Sequence, residues 1–168
     1  MIQQEERGMK KKEEKTNALR LLEQRGIACQ VRTYPHGDEA VDGAEVACLL
    51  GQDPEQVYKT LVARGASGQH YVFDIPVCAE LDLKKAARAV GEKNVAMIHV
   101  KELLPLTGYV RGGCSPIGMK KPFPTVIQED AQLYDAIAVS AGKIGIQVVL
   151  SPADLADMVE ASFADVIK

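Results

Sequence analysis

A glycine- and proline-rich stretch in the second half of the chain, TGYVRGGCSPIGMKKPFP at residues 107–124, places the strongest constraint on the fold. Five turn-forming residues share eleven positions there, namely Gly112, Gly113, Pro116, Gly118 and Pro122. Glycine leaves the backbone too free for a helix or strand interior, and proline lacks the N–H that both structures use. The stretch therefore predicts a shaped loop that separates two structured parts of the chain.

Helix and strand patterns succeed one another before this loop. Thr16 can cap a helix that Gly26 ends, and residues 43–50 have a second helical pattern that Gly51 ends. The runs YKTLVAR and HYVFDIPV predict strands, and LDLKKAARAV predicts a helix that ends at Gly91. This succession indicates an α/β (α+β) fold with helices layered on a sheet.

Three short strand-like runs follow the loop: PTVIQ, AIAVSAG and GIQVVL. Their spacing leaves no room for helices between them, so we expect an antiparallel meander. Ser151 and Pro152 then supply an N-cap and a first-turn proline for a final helix. The predicted buried stripe of that helix consists of Leu155, Met158, Val159 and Phe163.

Composition favours one globular domain. The chain has 168 residues, of which 46% are hydrophobic and 26% charged, the balance of an ordinary folded protein. Residues 1–15 mix both charges without apolar periodicity and predict a flexible tail, in which Met9 is an alternative start. The domain itself is expected to span residues 16–168.

Charge and hydropathy exclude several classes of protein. The net charge of −3 does not attract polyanions as a whole, so any RNA contact requires a local basic patch. Two candidate patches are Lys84, Lys85 and Arg88 on one predicted helix, and Lys120 with Lys121 after the loop. No apolar run approaches the ~18–20 residues of a membrane span, and no signal peptide precedes the domain, so we predict a cytoplasmic protein.

No metal site, cofactor site or disulfide framework is predicted. The four cysteines and three histidines are scattered, without a CxxC pair or metal-ligand spacing. The sequence also contains no GxSxG, Walker or HExxH motif. An enzymatic function would therefore depend on a lysine and on glycine-rich loops.

Four features leave two interpretations open. Lys59 in VYKTLV either points to solvent by strand alternation or enters a pocket to hold a carbonyl or phosphate oxygen. GYVRGGCSPIG is either a structural turn or a cradle for an anion, and SAGKIG is either a hairpin turn or a second wall that offers Ser140, Gly142 and Lys143. Cys114, without a neighbouring base in the sequence, is favoured as a small neutral residue over a nucleophile.

The order of these motifs resembles the YbaK/EbsC family, free-standing relatives of the editing domain of bacterial prolyl-tRNA synthetases. The matching blocks are KTNALRLLEQRGI, TYPH, VYKTLV, LDLKKAA, TGYVRGGCSPIGMKK, VSAGKIG and LSPADL, which cover the chain from Thr16 to Ile167. The resemblance implies a single α/β domain with a mixed, strongly curved sheet flanked by helices.

The resemblance also implies a function. It makes Lys59 the essential residue of a pocket, and the predicted substrate-binding residues are Tyr34, Tyr109, Gly112, Gly113, Ser115, Ser140, Gly142 and Gln147. The implied substrate is Cys-tRNA(Pro), with Cys-tRNA(Cys) as a second substrate and prolyl-tRNA synthetase as a partner in a ternary complex. In the implied lyase-like mechanism the thiolate of the substrate attacks its own ester, so the protein supplies no nucleophile.

Three positions depart from the family pattern. Asp42 replaces a frequent phenylalanine, Ala141 changes the usual SGGK turn to SAGK, and Gln147 stands where a carboxylate is common. These changes bear on amino-acid choice. The alternatives are therefore an alanyl-tRNA deacylase that uses water, and a module that binds tRNA or a synthetase without catalysis.

Overall fold

Five α-helices and eight strands make up residues 15–168, the part of the chain that the computed structural model describes. The helices are α1 Asn17–Gln24, α2 Gly43–Leu49, α3 Leu83–Val90, α4 Val100–Thr107 and α5 Pro152–Val159. The strands are β1 Cys29–Thr33, β2 Tyr58–Gly65, β3 His70–Pro76, β4 Val95–Met97, β5 Thr125–Gln128, β6 Ile137–Lys143, β7 Ile146–Leu150 and β8 Ser162–Ala164. The predicted tail, residues 1–15, lies outside the described residues except for Lys15.

Side-chain caps start three helices where the sequence indicates. The Thr16 hydroxyl accepts from the Leu19 N–H at 3.2 Å, and the Ser151 hydroxyl accepts from the Asp154 N–H at 3.3 Å. The Asp82 carboxylate accepts from two N–H groups at the start of α3. Each cap satisfies a donor that the first helical turn leaves without a carbonyl partner. The predicted starts of α1 and α5 are thus confirmed, and α3 begins at Leu83, inside the predicted run LDLKKAARAV.

The strands form two sheets. Strands β1, β7 and β6 lie side by side, in that order, in an antiparallel three-stranded sheet. The five-stranded sheet has the order β4-β2-β3-β5-β8, with β2 antiparallel to β3 and β4, and β5 parallel to β3 and β8. The expected α+β class is confirmed, with its strands divided between a mixed and an antiparallel sheet.

The predicted three-strand meander is wrong in one strand. Strand β5 pairs in parallel with β3 and β8, and only β6 and β7 form an antiparallel hairpin. All four residues of β5 are buried, as expected for a parallel strand covered on both faces. The short 3₁₀ helix Glu129–Leu133 then carries the chain to the other sheet, which a spacing argument alone does not reveal.

The final helix is also shorter than its predicted apolar stripe. It ends at Val159, because Glu160 adopts a left-handed conformation with φ of 54°. Phe163 therefore belongs to β8, while Leu155 is fully buried as predicted. Both Phe163 and Met158 still pack against the same apolar core.

The junction of the two sheets leaves one strand edge uncovered. Strand β4 pairs only with residues 63–65 of β2, so residues 58–61 have no strand partner on that side. A bridge between Val57 and Ala138 brings this open edge beside β6 of the other sheet. The candidate site occupies the space between them.

Candidate active site

A cleft of about 890 Å³ opens along the free edge of β2. Four segments form most of its walls: residues 38–43, 57–61, 110–112 and 139–140. Five of the nine predicted site residues line it, namely Tyr34, Lys59, Gly112, Ser140 and Gln147. The fold therefore gathers residues from both halves of the chain around one concave surface of a size suited to a small ligand.

Lys59 is a half-buried residue of β2, paired in register with Ile75 of β3. Its side chain lines the cleft and also a second hollow of about 580 Å³, which includes Glu80 and Lys84. Within residues 15–168, it forms no salt bridge. An ammonium group that no carboxylate holds in a salt bridge is available to an anionic or polarised ligand.

Gly112 of the glycine-rich loop lines the cleft. Gly112 has φ of +86°, and a Cβ atom there would lie 2.6 Å from the Cβ of Ala40, so the position requires glycine. Its N–H meets no acceptor among the described residues. The Gly113 N–H instead donates to the Val110 carbonyl at 2.9 Å, and Gly113 does not line the cleft. Of the two loop glycines that the resemblance implies as substrate-binding residues, Gly112 lines the cleft and Gly113 does not.

Tyr109 and Ser115 shape the loop from within and do not line the cleft. The buried Tyr109 hydroxyl donates to the Ile117 carbonyl, and the fully buried Ser115 hydroxyl accepts from the Ile117 N–H at 3.1 Å. Tyr109 also lies against Gly142, where a Cβ atom would approach the ring to 2.9 Å. These contacts join the glycine-rich loop to the β6–β7 hairpin.

The β6–β7 hairpin forms the opposite wall. A register shift between Ser140 and Lys143 interrupts the β6 pairing, and Gly142 takes φ of +102° within it. The Ser140 hydroxyl lines the cleft and accepts from the Gly142 N–H at 3.1 Å. Such irregularities commonly redirect side chains beside functional sites. Gly142 supports Ser140 from behind, and Lys143 is exposed.

Gln147 is held by Gln52, a residue that sequence reasoning did not select. The Gln52 and Gln147 side-chain amides hydrogen-bond to each other in both directions, and Gln147 is 4% exposed. A neutral amide pair therefore occupies the place where the family pattern often has a carboxylate. Negative charge on this cleft comes instead from Asp38, Glu39 and Asp42.

A second polar pair was also missed by sequence reasoning. Thr60 lines the cleft, and its hydroxyl donates to Asp74 Oδ1 at 2.6 Å. Asp74 is completely buried, and burial raises its pKa to about 7. The available signal was a single carboxylate inside the otherwise apolar run VFDIPV.

Cys114 lines the cleft but has the properties of a neutral side chain. Burial raises the pKa of its thiol to about 12, and the Asp74 carboxylate adds to this shift. Since the thiolate is the nucleophilic form, the thiol is unreactive near neutral pH. This supports the interpretation of Cys114 as a small wall residue.

Two features are absent from residues 15–168, a metal-binding cluster and a membrane-spanning helix. No group of three or more His, Cys, Asp or Glu side chains is arranged to hold a metal ion. No helix in this part of the chain has both the length and the apolar character that a membrane span needs.

Comparison with known proteins identifies the family. Residues 38–158, which include every wall of the cleft except Tyr34, match the model of the aminoacyl-tRNA editing domain. The chain belongs to the aminoacyl-tRNA editing domain family. The editing domain therefore contains Lys59, Gly112, Ser140 and Gln147.

Individual relatives agree with this assignment. A protein of Enterococcus faecalis (strain ATCC 700802 / V583) named "Putative Cys-tRNA(Pro)/Cys-tRNA(Cys) deacylase EbsC" is 45% identical over 157 residues, which cover 94% of this chain and 96% of that protein. The resemblance to the YbaK/EbsC family is thus confirmed.

Solved structures agree as well. One described as "Crystal structure of a putative trans-editing enzyme for prolyl tRNA synthetase" has a TM-score of 0.78 and 28% identity, covering 91% of this chain and 98% of that one. The structure of hypothetical protein APE2540 has a TM-score of 0.80 at 23% identity, with 89% and 97% covered, and supports the fold alone.

Proposed function

We propose that this protein is a trans-editing deacylase that releases cysteine from Cys-tRNA(Pro), with Cys-tRNA(Cys) as a second substrate. Membership of the aminoacyl-tRNA editing family supports the substrate class, and the name of the 45% identical relative supports cysteine. The structural observation that carries the proposal is the meeting of two unused donors in one cleft. Lys59 and Gly112 both line it, and among residues 15–168 the Lys59 ammonium forms no salt bridge and the Gly112 N–H has no acceptor.

The proposed reaction uses the thiol of the substrate as its nucleophile. The thiolate attacks the ester carbonyl of the same cysteinyl group, a C–S bond forms, and the bond from the carbonyl carbon to the ribose oxygen breaks. The ribose oxygen takes up a proton, and the products are free tRNA and a cyclic thioester of cysteine. Correct orientation of such an intramolecular attack is equivalent to ~10⁵ M reactant or more, so the protein needs no catalytic triad.

The two donors have distinct roles in this proposal. The Gly112 N–H holds the carbonyl oxygen as negative charge develops on it, and removal of one such donor typically lowers kcat by about 10²–10³-fold. The Lys59 ammonium neutralises charge on the reacting ester or on the phosphate of the terminal adenosine. The neutral side chains of Cys114 and Ser140 accept a small amino acid without adding charge.

Recognition of the rest of the tRNA requires positive charge beyond the cleft. Lys84 is exposed and lines the second hollow, which shares Lys59 with the cleft. Lys85 is less available, because it binds Asp165 at 2.8 Å. We propose that the tRNA backbone follows this side, that prolyl-tRNA synthetase supplies further tRNA specificity in a ternary complex, and that the reaction takes place in the cytoplasm.

A single-turnover deacylation assay tests the function. Cys-, Ala- and Ser-tRNA(Pro) are incubated with wild type, Lys59→Ala and the matched control Lys93→Ala, whose lysine is exposed and lies on neither hollow. We expect rapid release of cysteine by wild type and Lys93→Ala, and a loss of at least 100-fold in Lys59→Ala.

Other outcomes would contradict the proposal in different ways. Release of alanine at a rate comparable to cysteine would reject the thiol mechanism and favour a water-dependent alanyl-tRNA deacylase. No release by wild type, with tRNA still bound, would indicate a binding module.

A further inference from the structure

A buried carboxyl group lies behind the cleft wall, and the mechanism above does not use it. Asp74 of β3 is 0% exposed and sits opposite Thr60 of β2 in the strand register. The Thr60 hydroxyl donates to Asp74 Oδ1 at 2.6 Å, whereas Oδ2 has no hydrogen-bond partner within residues 15–168. Thr60 lines the cleft, so this carboxyl group lies one hydrogen bond away from a residue of the cleft wall.

Packing does not explain an aspartate at this position. Its strand neighbours Phe73 and Ile75 are fully buried and apolar, and an apolar side chain would fill the same space. A buried polar atom without a partner destabilises a fold by about 1–3 kcal/mol. A residue that brings this destabilisation into a core beside a cleft is a candidate for function.

Asp74 has two ionisable neighbours, Tyr58 and Cys114, and of these three groups only Asp74 has a pKa near neutral pH. Tyr58 comes from β2 and Cys114 from the glycine-rich loop, and burial raises the pKa of both, that of Cys114 to about 12. Burial likewise raises the pKa of Asp74 to about 7, against a smaller opposing effect of the Thr60 hydrogen bond. No lysine or arginine of the described residues forms a salt bridge with Asp74.

We propose that Asp74, acting through the Thr60 hydroxyl, takes the proton of the substrate thiol and returns it to the leaving ribose oxygen. This inference rests on the proposed function. The S–H proton passes to Thr60 Oγ1 while the hydroxyl proton of Thr60 passes to Asp74 Oδ1, and the thiolate then forms the C–S bond. As the C–O bond breaks, the proton returns by the same path to the ribose oxygen, and both residues regain their starting state.

The substrate thiol, the Thr60 hydroxyl and the Asp74 carboxyl group have the chemistry that this proton transfer requires. A cysteine thiol has a pKa near 8.5, and a threonine hydroxyl can donate and accept at the same time. A base that titrates near the working pH is the most effective, and general base catalysis typically contributes about 10²–10⁴-fold. Thr60 is therefore the catalytic residue of the relay, and Asp74 is a positioning residue that acts through it.

The pH profile of single-turnover cysteine release from Cys-tRNA(Pro) tests the relay. Asp74→Asn keeps an acceptor for the Thr60 hydroxyl but cannot take up a proton, and Thr60→Val removes the hydroxyl at nearly constant volume. We expect an inflection near pH 7 in wild type. Both variants should be about 10–100-fold slower at pH 7, with the inflection displaced upward toward that of the free thiol, and Thr60→Ser should recover most of the rate lost in Thr60→Val.

The outcomes separate this inference from the proposed function. A wild-type rate and an unchanged inflection in Asp74→Asn would overturn the relay while leaving the deacylase proposal intact. Absence of cysteine release by wild type would overturn the deacylase proposal itself, whereas full activity of Lys59→Ala would overturn only the role proposed for Lys59. If circular dichroism shows that Asp74→Asn does not fold, the comparison of Thr60→Val with Thr60→Ser decides, and equal rates of these two variants would overturn the relay.

Discussion

Gln52 and Gln147 hold each other through two hydrogen bonds between their side-chain amides. The Gln52 Nε2 donates to the Gln147 Oε1 at 2.6 Å, and the Gln147 Nε2 donates to the Gln52 Oε1 at 3.1 Å. The pair joins the turn after α2 to β7 and fixes an almost completely buried amide on the cleft wall. The conformation of this wall thus depends on a residue that is distant in the sequence and does not line the cleft.

Replacement of Gln52 by alanine should therefore destabilise the protein. The buried Gln147 amide would lose both partners, and we expect a decrease of about 1–3 kcal/mol in the free energy of unfolding. Urea denaturation measures this change. The matched control is Gln132→Ala, at an exposed position of the 3₁₀ helix Glu129–Leu133, which should stay within about 0.5 kcal/mol of wild type. Equal stability of the two variants would show that the amide pair contributes nothing.

Substitution of Gly112 by alanine should abolish activity, because the added methyl group would collide with Ala40 in the wall of the cleft. Gly112→Ala places a Cβ atom 2.6 Å from that of Ala40 and strains a backbone with φ of +86°. Gly68→Ala is the matched control, because Gly68 has φ of +92° but no atom within 4 Å of a Cβ. Both variants should lose about 1 kcal/mol or more of stability from strain, measured by thermal unfolding. Only Gly112→Ala should lose cysteine release, and retained activity in it would contradict the role of this loop.

Local signals in the sequence predicted a large part of the fold. Thr16 and Ser151 were predicted to cap helices, because each hydroxyl bonds to an N–H group three residues along, which adjacent sequence fully specifies. The placement of β5 failed, since parallel pairing with β3 depends on partners distant in sequence. Its short sequence TVIQ, with apolar residues only in the middle, fits several arrangements equally well.

The candidate site likewise contains residues that the sequence predicted and residues whose role depends on partners distant in the sequence. The family motifs brought Lys59, Gly112 and Ser140 together, and the structure places all three on one cleft. The Thr60–Asp74 pair could not be predicted, because nothing in the sequence gives the register of β2 against β3. Likewise, the predicted contact residues Tyr109 and Ser115 are conspicuous in the loop motif, yet their hydroxyl groups bond inside the loop.

Thiol labelling should distinguish Cys114 from the other three cysteines. Cys29, Cys48 and Cys78 are exposed, whereas Cys114 is buried and has a pKa raised to about 12. At pH 7.5 we expect three fast labels and one much slower label per native chain, followed by mass spectrometry with peptide mapping. Protein unfolded in urea is the control and should take up four labels at similar rates. Fast labelling of native Cys114 would contradict both its burial and its assignment as a neutral wall residue.

The buried Asp74 should make stability depend on pH. In the unfolded chain this carboxyl group ionises near its ordinary pKa of 3.8, whereas the folded protein keeps it protonated up to about pH 7. Between these values the unfolded state has lost a proton that the folded state retains, so rising pH favours unfolding progressively. Above pH 7 the loss is constant, at about 4 kcal/mol at most.

Asp74→Asn removes this titration, so its free energy of unfolding relative to wild type should rise from pH 4 to pH 7 and then level off. Denaturation in urea at several pH values measures the difference. Any constant effect of the two amide hydrogens displaces the whole curve without changing its slope, because the asparagine side chain does not titrate. Glu129→Gln, at an exposed position, is the matched control and should give a nearly flat difference. If the difference in free energy of unfolding between Asp74→Asn and wild type is also flat, Asp74 ionises as readily in the folded protein as in the unfolded chain. The carboxyl group would then be too weak a base to take up the thiol proton near neutral pH.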